Sequence, residues 1–324
     1  MTSSNIRKVN NMSREVKEHG YATYPRRFMG YKWYKPILFA FVMAAIALSF
    51  ISVLSFIAGV FSQDPNFISN VQKGYDGMDV YTLSGCLIQL GALASFIPAI
   101  KITSLIINDR PFSSYSSSRG GWNWKIFGKM MLVAFVVCGV PNIILVIVDG
   151  KTGVNRFSVV GFIALTLLGP LQCVAEEYLF RSVIMQTIGS WFKLPILGLI
   201  FSTVIFLMLH PYNIIGVIAV GISGLGMGIT VLLTKGLEAS SAVHIANNMV
   251  AFYASGLGWG AIKSEVDVRD IIVDVLVYVV YIGFIVYADK KLHWFDEVKK
   301  DDVEIYNKKA QEKLDRKAKN SIVA

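Results

Sequence analysis

The stretch CVAEEYLFRSV, residues 173–183, places two adjacent carboxylates and a guanidinium inside an apolar run. It follows LTLLGPLQ at 165–172 and precedes IMQTIG at 184–189. One charged side chain at the centre of a bilayer costs about 2.5–3.5 kcal/mol on insertion scales. Glu176, Glu177 and Arg181 therefore predict a functional or structural polar site inside a membrane protein.

The composition of the whole chain is typical of a polytopic membrane protein. Of its 324 residues, 54% are hydrophobic and only 16% are charged, and the mean hydropathy is +0.54. Apolar runs of about 17–25 residues can cross a bilayer as helices. We therefore expect an all-α polytopic membrane protein of about eight transmembrane helices with an intramembrane active-site cavity. The eight runs lie at 36–61, 82–107, 125–148, 157–188, 192–209, 213–234, 239–257 and 271–288.

The distribution of charge predicts the orientation in the membrane. The segment before the first span carries eight basic residues against Glu15 and Glu18, a net charge of +6. Basic flanks of membrane spans stay on the cytoplasmic side, and an even number of spans returns the chain to that side. Both termini are therefore expected in the cytoplasm, with the protein in the cell membrane. Because the basic segment adjoins an apolar span, we expect it to bind anionic lipid and not nucleic acid.

Changes in charge and hydropathy along the sequence divide the chain into four parts. They are a basic N-terminal segment at 1–35, N-terminal transmembrane helices at 36–155, a candidate catalytic core at 156–290 and a charged cytoplasmic tail at 291–324. The tail is nearly charge-balanced and predicts a solvated helix or a disordered segment. The run SSYSSSRGG at 113–121 predicts a flexible inner loop. All three cysteines lie in apolar runs, which favours neither a disulfide framework nor a metal site.

Helical geometry separates the two glutamates. Glu177 and Arg181 are four residues apart with the acid first, the orientation that favours an ion pair on one helical face. Glu176 points about 100° away from Glu177 and faces Phe180 instead. Its carboxylate is therefore predicted to be free, and a free carboxylate in a low-dielectric pocket is a candidate general base.

The run HIANN at 244–248 is a second polar cluster in apolar surroundings. His244 and Asn248 are four residues apart, so an imidazole N–H and an amide NH₂ can be directed at the same point. Two such donors are what an oxyanion hole requires. Asn247 lies on another helical face and is predicted to contact a neighbouring helix.

The run FLMLH at 206–210 places Phe206 and His210 on one helical face, and Pro211 predicts that the helix ends there. His210 would then close one span, whereas His244 lies about a turn and a half inside another. Straight spans would keep the two rings apart, so we expect one helix to be tilted, broken or re-entrant around a water-reachable cavity.

These three motifs, in this order and at these separations, resemble the CPBP family, which comprises CAAX proteases and bacteriocin-processing enzymes also called Abi proteins. The family pattern is EExxxR, then FxxxH, then HxxxN or HxxxD. It is matched by EEYLFR at 176–181, FLMLH at 206–210 and HIANN at 244–248. The resemblance covers roughly 165–255, including the run GISGLGMG before the third motif.

The resemblance implies an eight-helix intramembrane endopeptidase that needs no cofactor. In it the carboxylate activates water with the help of the first histidine, and the other histidine with the asparagine holds the oxyanion. The implied catalytic residues are Glu176, His210, His244 and Asn248, and the supporting residues are Glu177, Arg181 and Phe206. The expected substrate is a membrane-embedded or lipidated peptide or protein, such as a prenylated CAAX protein, a leader peptide or a signalling peptide.

Three alternatives stay open. Glu176, His210 and His244 could bind zinc, although the sequence has no HExxH motif and Arg181 would compete with a metal. A non-catalytic immunity or scaffold protein is also compatible with the resemblance. A transporter could use buried ionisable residues for proton coupling, but the first half of the chain has no matching polar set.

Overall fold

The structure, a computed structural model, describes residues 20–62, 64–73, 79–210, 212–259 and 267–323. Over these ranges the chain is helical and contains no β-strand, only an isolated bridge between Ser117 and Gly236. The predicted all-α fold is confirmed. The predictions that concern residues 1–19 and Pro211 lie outside the described residues.

Nine long helices follow one another in the described part of the chain. They are α1 (Lys35–Phe61), α2 (Leu83–Ile107), α3 (Trp124–Asp149), α4 (Val159–Phe192), α5 (Pro195–Met208), α6 (Ile214–Thr234), α7 (Glu238–Leu257), α8 (Val268–Leu292) and α9 (Asp302–Val323). Short helical segments occur at Tyr21–Arg27, Phe67–Gln72 and Ser113–Ser116. Three of the long helices contain a π-helical turn, at Leu87–Gly91, Phe135–Gly139 and Tyr178–Ile184.

Six of these helices, α1 to α4, α6 and α8, are long and apolar enough to cross a membrane, as judged over the described residues. Helix α5 has 14 residues, or about 21 Å, which is shorter than the roughly 30 Å hydrocarbon core. Helix α7 has 20 residues, but its glutamate, histidine and two asparagines make it too polar to face lipid. Each predicted span is thus a helix, whereas the count of eight crossings is not confirmed by length and composition.

Helix α7 lies at the centre of the bundle. Every residue from Glu238 to Ala246 is buried, because α3, α4 and α6 pack around it. Helix α1, by contrast, exposes large apolar side chains such as Phe41 and Phe56. The polar residues of α7 are therefore surrounded by protein, where they can find partners that lipid does not offer.

The segment between α2 and α3 is buried, so the prediction of a flexible loop at 113–121 is wrong. Residues 114–119 are all buried, and their serine hydroxyls have partners inside the protein. Arg119 forms an ion pair of 2.8 Å with Glu238 at the start of α7. It also donates a hydrogen bond of 2.6 Å to the carbonyl oxygen of Thr234 at the end of α6. Serine hydroxyls and a guanidinium thus hold this segment against the bundle.

The described N-terminal residues and α9 lie at the same end of the bundle. The Asn307 side chain donates to the carbonyl oxygen of Arg27 and accepts from the Met29 N–H, at 3.0 and 2.8 Å. The Tyr306 hydroxyl donates to the carbonyl oxygen of Asn108 after α2, at 2.6 Å. The charged tail forms the exposed helix α9. A solvated helix is one of the two states predicted for it, the other being a disordered segment.

Candidate active site

The first motif lies where α4 changes from α-helix to π-helix. The α-helical pattern ends at Glu177, and the π-helical turn begins at Tyr178. Such π-turns are frequent at functional sites. Glu176, Glu177 and Arg181 are buried, with at most 8% of each residue exposed. Arg181 Nε lies 3.5 Å from Glu177 Oε2, which confirms the predicted ion pair.

His244 of α7 lies between the two glutamates. Its Nδ1 is 3.1 Å from Glu177 Oε1, and its Nε2 is 3.4 Å from Glu176 Oε2. Spacing within α4 predicts that the Glu176 carboxylate is free. That prediction is wrong, because its partner His244 comes from a different helix. The Oε2 atoms of both glutamates still have no hydrogen-bond partner among the described residues. Buried polar atoms without a partner are expected to bind water or substrate.

Phe206 of α5 joins the second motif to the other two. Its ring centroid lies 4.5 Å from that of His210 and 6.2 Å from that of His244. The Arg181 guanidinium lies over the same ring at 5.2 Å, within the range of a cation–π interaction. One aromatic side chain thus contacts residues of all three motifs.

His210 lies in the break between α5 and α6. Its Nδ1 is 2.7 Å from the carbonyl oxygen of Phe206. Because a carbonyl can only accept, Nδ1 donates, and Nε2 of the neutral ring keeps a lone pair. The expectation of a tilted, broken or re-entrant helix stays a prediction; α5 has only 14 residues, and both histidine rings lie near the ring of Phe206.

Asn248, four residues after His244, is oriented by a chain of amides. Its Oδ1 accepts a hydrogen bond from Asn247 Nδ2 at 3.2 Å. Asn247 Oδ1 in turn accepts from Asn142 Nδ2 of α3, also at 3.2 Å. Asn247 therefore makes the predicted interhelical contact. Because its oxygen is engaged, Asn248 presents its NH₂ group as a donor.

Two further residues at the site are not predicted from the sequence. Ser202 Oγ lies 3.5 Å from Arg181 Nη1. Its position four residues before Phe206, on the same helical face, is a signal that could have identified it. The Tyr212 ring stacks on His210 at 6.1 Å, and burial, followed by the nearby charge of Glu176, raises the pKa of Tyr212. Tyr212 lies outside any helical pattern, so no periodicity points to it.

The side chains of the zinc alternative are not arranged as a metal site. No group of three or more His, Cys, Asp or Glu that could hold a metal ion occurs in the part of the chain that the structure describes. Both ring nitrogens of His244 face carboxylates, and Nδ1 of His210 donates to a backbone carbonyl. Glu176 and His244 are in contact, but with His210 they do not form such a group among the described residues.

Fold and site together define a multi-pass helical membrane protein with a carboxylate–imidazole cluster inside the bundle. Residues 156–250 match the Rce1-like family, described as type II CAAX prenyl endopeptidase Rce1-like. All three motifs lie within the matched residues. The resemblance inferred from them is thus confirmed over this part of the chain, and the match supports a protease.

The chain is also similar to the uncharacterized protein YyaK of Bacillus subtilis (strain 168), with 28% identity over 165 residues. The matched region covers 47% of this chain and 55% of that relative, so the chain spans about half the length of the curated relative it matches. No solved structure matches the chain.

Proposed function

We propose that this protein is a CAAX-type intramembrane endopeptidase that hydrolyses a peptide bond of a membrane-embedded or lipidated peptide or protein. The observation that carries the proposal is the placement of His244 between Glu176 and Glu177, at 3.4 and 3.1 Å, inside a helix bundle. The match to the Rce1-like family supports the same class of reaction.

Glu176 is the proposed general base. Its Oε2 has no hydrogen-bond partner among the described residues, so it can accept a proton from a water molecule. The water oxygen bonds to the scissile carbonyl carbon while the proton passes to Glu176. As the C–N bond breaks, the same proton is given to the leaving amine. The lone pair on His210 Nε2 can accept a hydrogen bond from the attacking water and orient it.

His244 and Asn248 are the proposed oxyanion donors. The contact between His244 Nδ1 and Glu177 is within hydrogen-bond range, whereas the 3.4 Å contact between Nε2 and Glu176 is longer than a good hydrogen bond. Once Glu176 is protonated it attracts Nε2–H less, so this N–H can turn to the oxyanion while Glu177 holds the ring. The Asn248 NH₂ group supplies the second donor.

Charge balance supports this assignment. In the proposed mechanism His244 is an imidazolium, with Nδ1 donating to Glu177 and Nε2 facing Glu176, and together with Arg181 it balances the two glutamates. Proton transfer from water to Glu176 then removes one negative charge as the oxyanion gains one. The cluster stays neutral throughout, which avoids the cost of an unbalanced charge in a low-dielectric interior.

The test uses purified wild type and Glu176→Gln with a fluorogenic peptide library that includes prenylated members. We expect Glu176→Gln to lose about 10²–10⁴-fold in cleavage rate, because glutamine keeps the shape but cannot take the proton. Glu312→Gln, on the exposed face of α9, is the matched control and should cleave as wild type does. Cleavage by Glu176→Gln at the wild-type rate would refute the proposed base.

The alternatives give different results in the same assay. Cleavage lost on chelation together with stoichiometric zinc would establish a metallopeptidase. Wild-type protein that binds peptides without cleaving any would favour the immunity or scaffold protein. A measured pH-driven flux of solute across vesicles would favour the transporter.

We also propose that both termini are cytoplasmic and that the basic segment binds anionic lipid of the cell membrane. The net charge of +6 before α1 supports this, as do the exposed rings of Trp33 and Tyr34 at the start of α1, where aromatic side chains suit the headgroup region. Reporter fusions at each terminus test the orientation, and opposite readings would refute it. Retention of anionic over zwitterionic lipid on the purified protein tests the lipid preference.

A further inference from the structure

A carboxylate outside the three motifs lies within the helix bundle. Asp274 of α8 is partly buried, six residues after the start of that helix. Ser223 of α6 is its one hydrogen-bond partner among the described residues, with Oγ 3.3 Å from Oδ2. No described lysine, arginine or histidine forms an ion pair with it. A carboxylate in an apolar helix is costly without a cation, and the described residues supply none.

Asp274 adjoins the active site through α6. Ser223, its partner, precedes Gly224, where a Cβ atom would lie 3.7 Å from Arg181 Nη2. Tyr278, one helical turn after Asp274, packs against α6 at Gly226, where a Cβ atom would lie 2.2 Å from its ring. Only one residue of α6 thus separates the environment of Asp274 from the guanidinium of the catalytic cluster.

The amide chain that orients Asn248 is connected to α8 through Cys138. Asn142 and Asn247 both contact the Cys138 sulfur, at 3.5 and 4.0 Å, and the π-helical turn that contains Cys138 packs against α8. Both asparagines are only partly buried. We call the group of Asp274, Ser223, Asn142 and Asn247 the Asp274 cluster; through Asn247 it adjoins the proposed oxyanion donor Asn248.

The Asp274 cluster has no cation beside its carboxylate among the described residues, since Arg181 and His244 lie against the two glutamates of the catalytic cluster. We propose that it is a specificity subsite for a basic side chain, lysine or arginine, of the substrate peptide. This proposal rests on the proposed endopeptidase function. An ammonium or guanidinium group would donate to the Asp274 carboxylate and the Ser223 hydroxyl, a charge-assisted arrangement. Substrate binding would then remove the cost of the isolated carboxylate.

The experiment measures peptide binding in the full-length Glu176→Gln protein, so that cleavage does not interfere. The probes are fluorescent transmembrane peptides with one lysine, or norleucine as a neutral side chain of similar length, at successive positions. We expect lysine at one or two positions to bind about tenfold more tightly than norleucine. The preference should disappear in Asp274→Asn and remain in Asp274→Glu. Asp289→Asn, near the other end of α8, is the control and should keep the lysine preference.

Three outcomes would overturn the subsite: equal binding of lysine and norleucine peptides at every position, a lysine preference that survives Asp274→Asn, or no peptide binding at all. Thermal unfolding of each variant shows whether it is folded. If Asp274→Asn is not folded, Asp274→Glu still tests the subsite, because it keeps the carboxylate and should keep the lysine preference. The endopeptidase proposal is judged separately, from cleavage by protein with Glu176 intact. A lysine preference in binding without any cleavage would support the subsite and refute the peptidase.

Discussion

Replacing Arg119 by methionine should strongly destabilise the fold, because it leaves Glu238 charged and buried. The two side chains are 2% and 0% exposed, and their N–O distance is 2.8 Å. The other carboxylate oxygen of Glu238 accepts a hydrogen bond from the Asn123 N–H at 2.9 Å, so one donor would remain. Glu238 begins α7, six residues before His244, so this pair also anchors the helix that carries the proposed oxyanion donors.

The size of the expected loss in the free energy of unfolding depends on how deeply the ion pair is buried. Removing one partner of a buried ion pair costs about 3–5 kcal/mol, whereas an exposed pair contributes about 0–1 kcal/mol. The pair of Arg156 and Asp79 is the matched control, with an N–O distance of 3.0 Å but side chains 48% and 39% exposed. We expect Arg119→Met to lower the free energy of unfolding by about 3–5 kcal/mol and Arg156→Met by less than about 1 kcal/mol.

The free energy of unfolding is measured by reversible denaturant titration in mixed micelles, followed by circular dichroism. The double variant Arg119→Met/Glu238→Gln should recover much of the loss, because it contains no uncompensated buried charge. Equal losses for Arg119→Met and Arg156→Met would refute the reasoning. A double variant no more stable than Arg119→Met would show that packing of the Arg119 side chain, and not its charge, stabilises this segment.

Three further predictions concern helix packing, the orientation of Asn248 and metal dependence. Gly226→Ala should lower stability by about 1–3 kcal/mol by overpacking, since its Cβ atom would lie 2.2 Å from the Tyr278 ring. Thermal unfolding measures this loss, and Gly283→Ala, whose Cβ atom meets nothing within 4 Å, is the control. Asn247→Leu should lower kcat about tenfold with KM nearly unchanged, because Asn248 loses the hydrogen bond that orients it; a change confined to KM would contradict this role. Dialysis against a chelator should leave both the cleavage rate and the melting temperature unchanged, and a loss that zinc alone restores would contradict the metal-free mechanism.

The sequence by itself determined the features that depend on neighbours along one chain segment. Apolar runs predict helices because lipid offers the backbone no hydrogen-bond partners, and each of the eight runs is a helix. The ion pair of Glu177 and Arg181 is confirmed because residues four apart on a helix are always close. The three motifs that carry the proposed site are likewise local patterns.

Only the tertiary structure decided which helices face one another. It places α7 at the centre, so a helix too polar for lipid lies within protein, and it pairs Glu176 with His244 although spacing on α4 predicts a free carboxylate. It also buries Arg119 against Glu238, where the serine-rich run around Arg119 predicts a flexible loop. Periodicity along a helix specifies the face on which a side chain lies, but the partner of that face comes from packing between segments distant in sequence. The contacts that position the proposed catalytic groups are therefore set by the arrangement of the bundle.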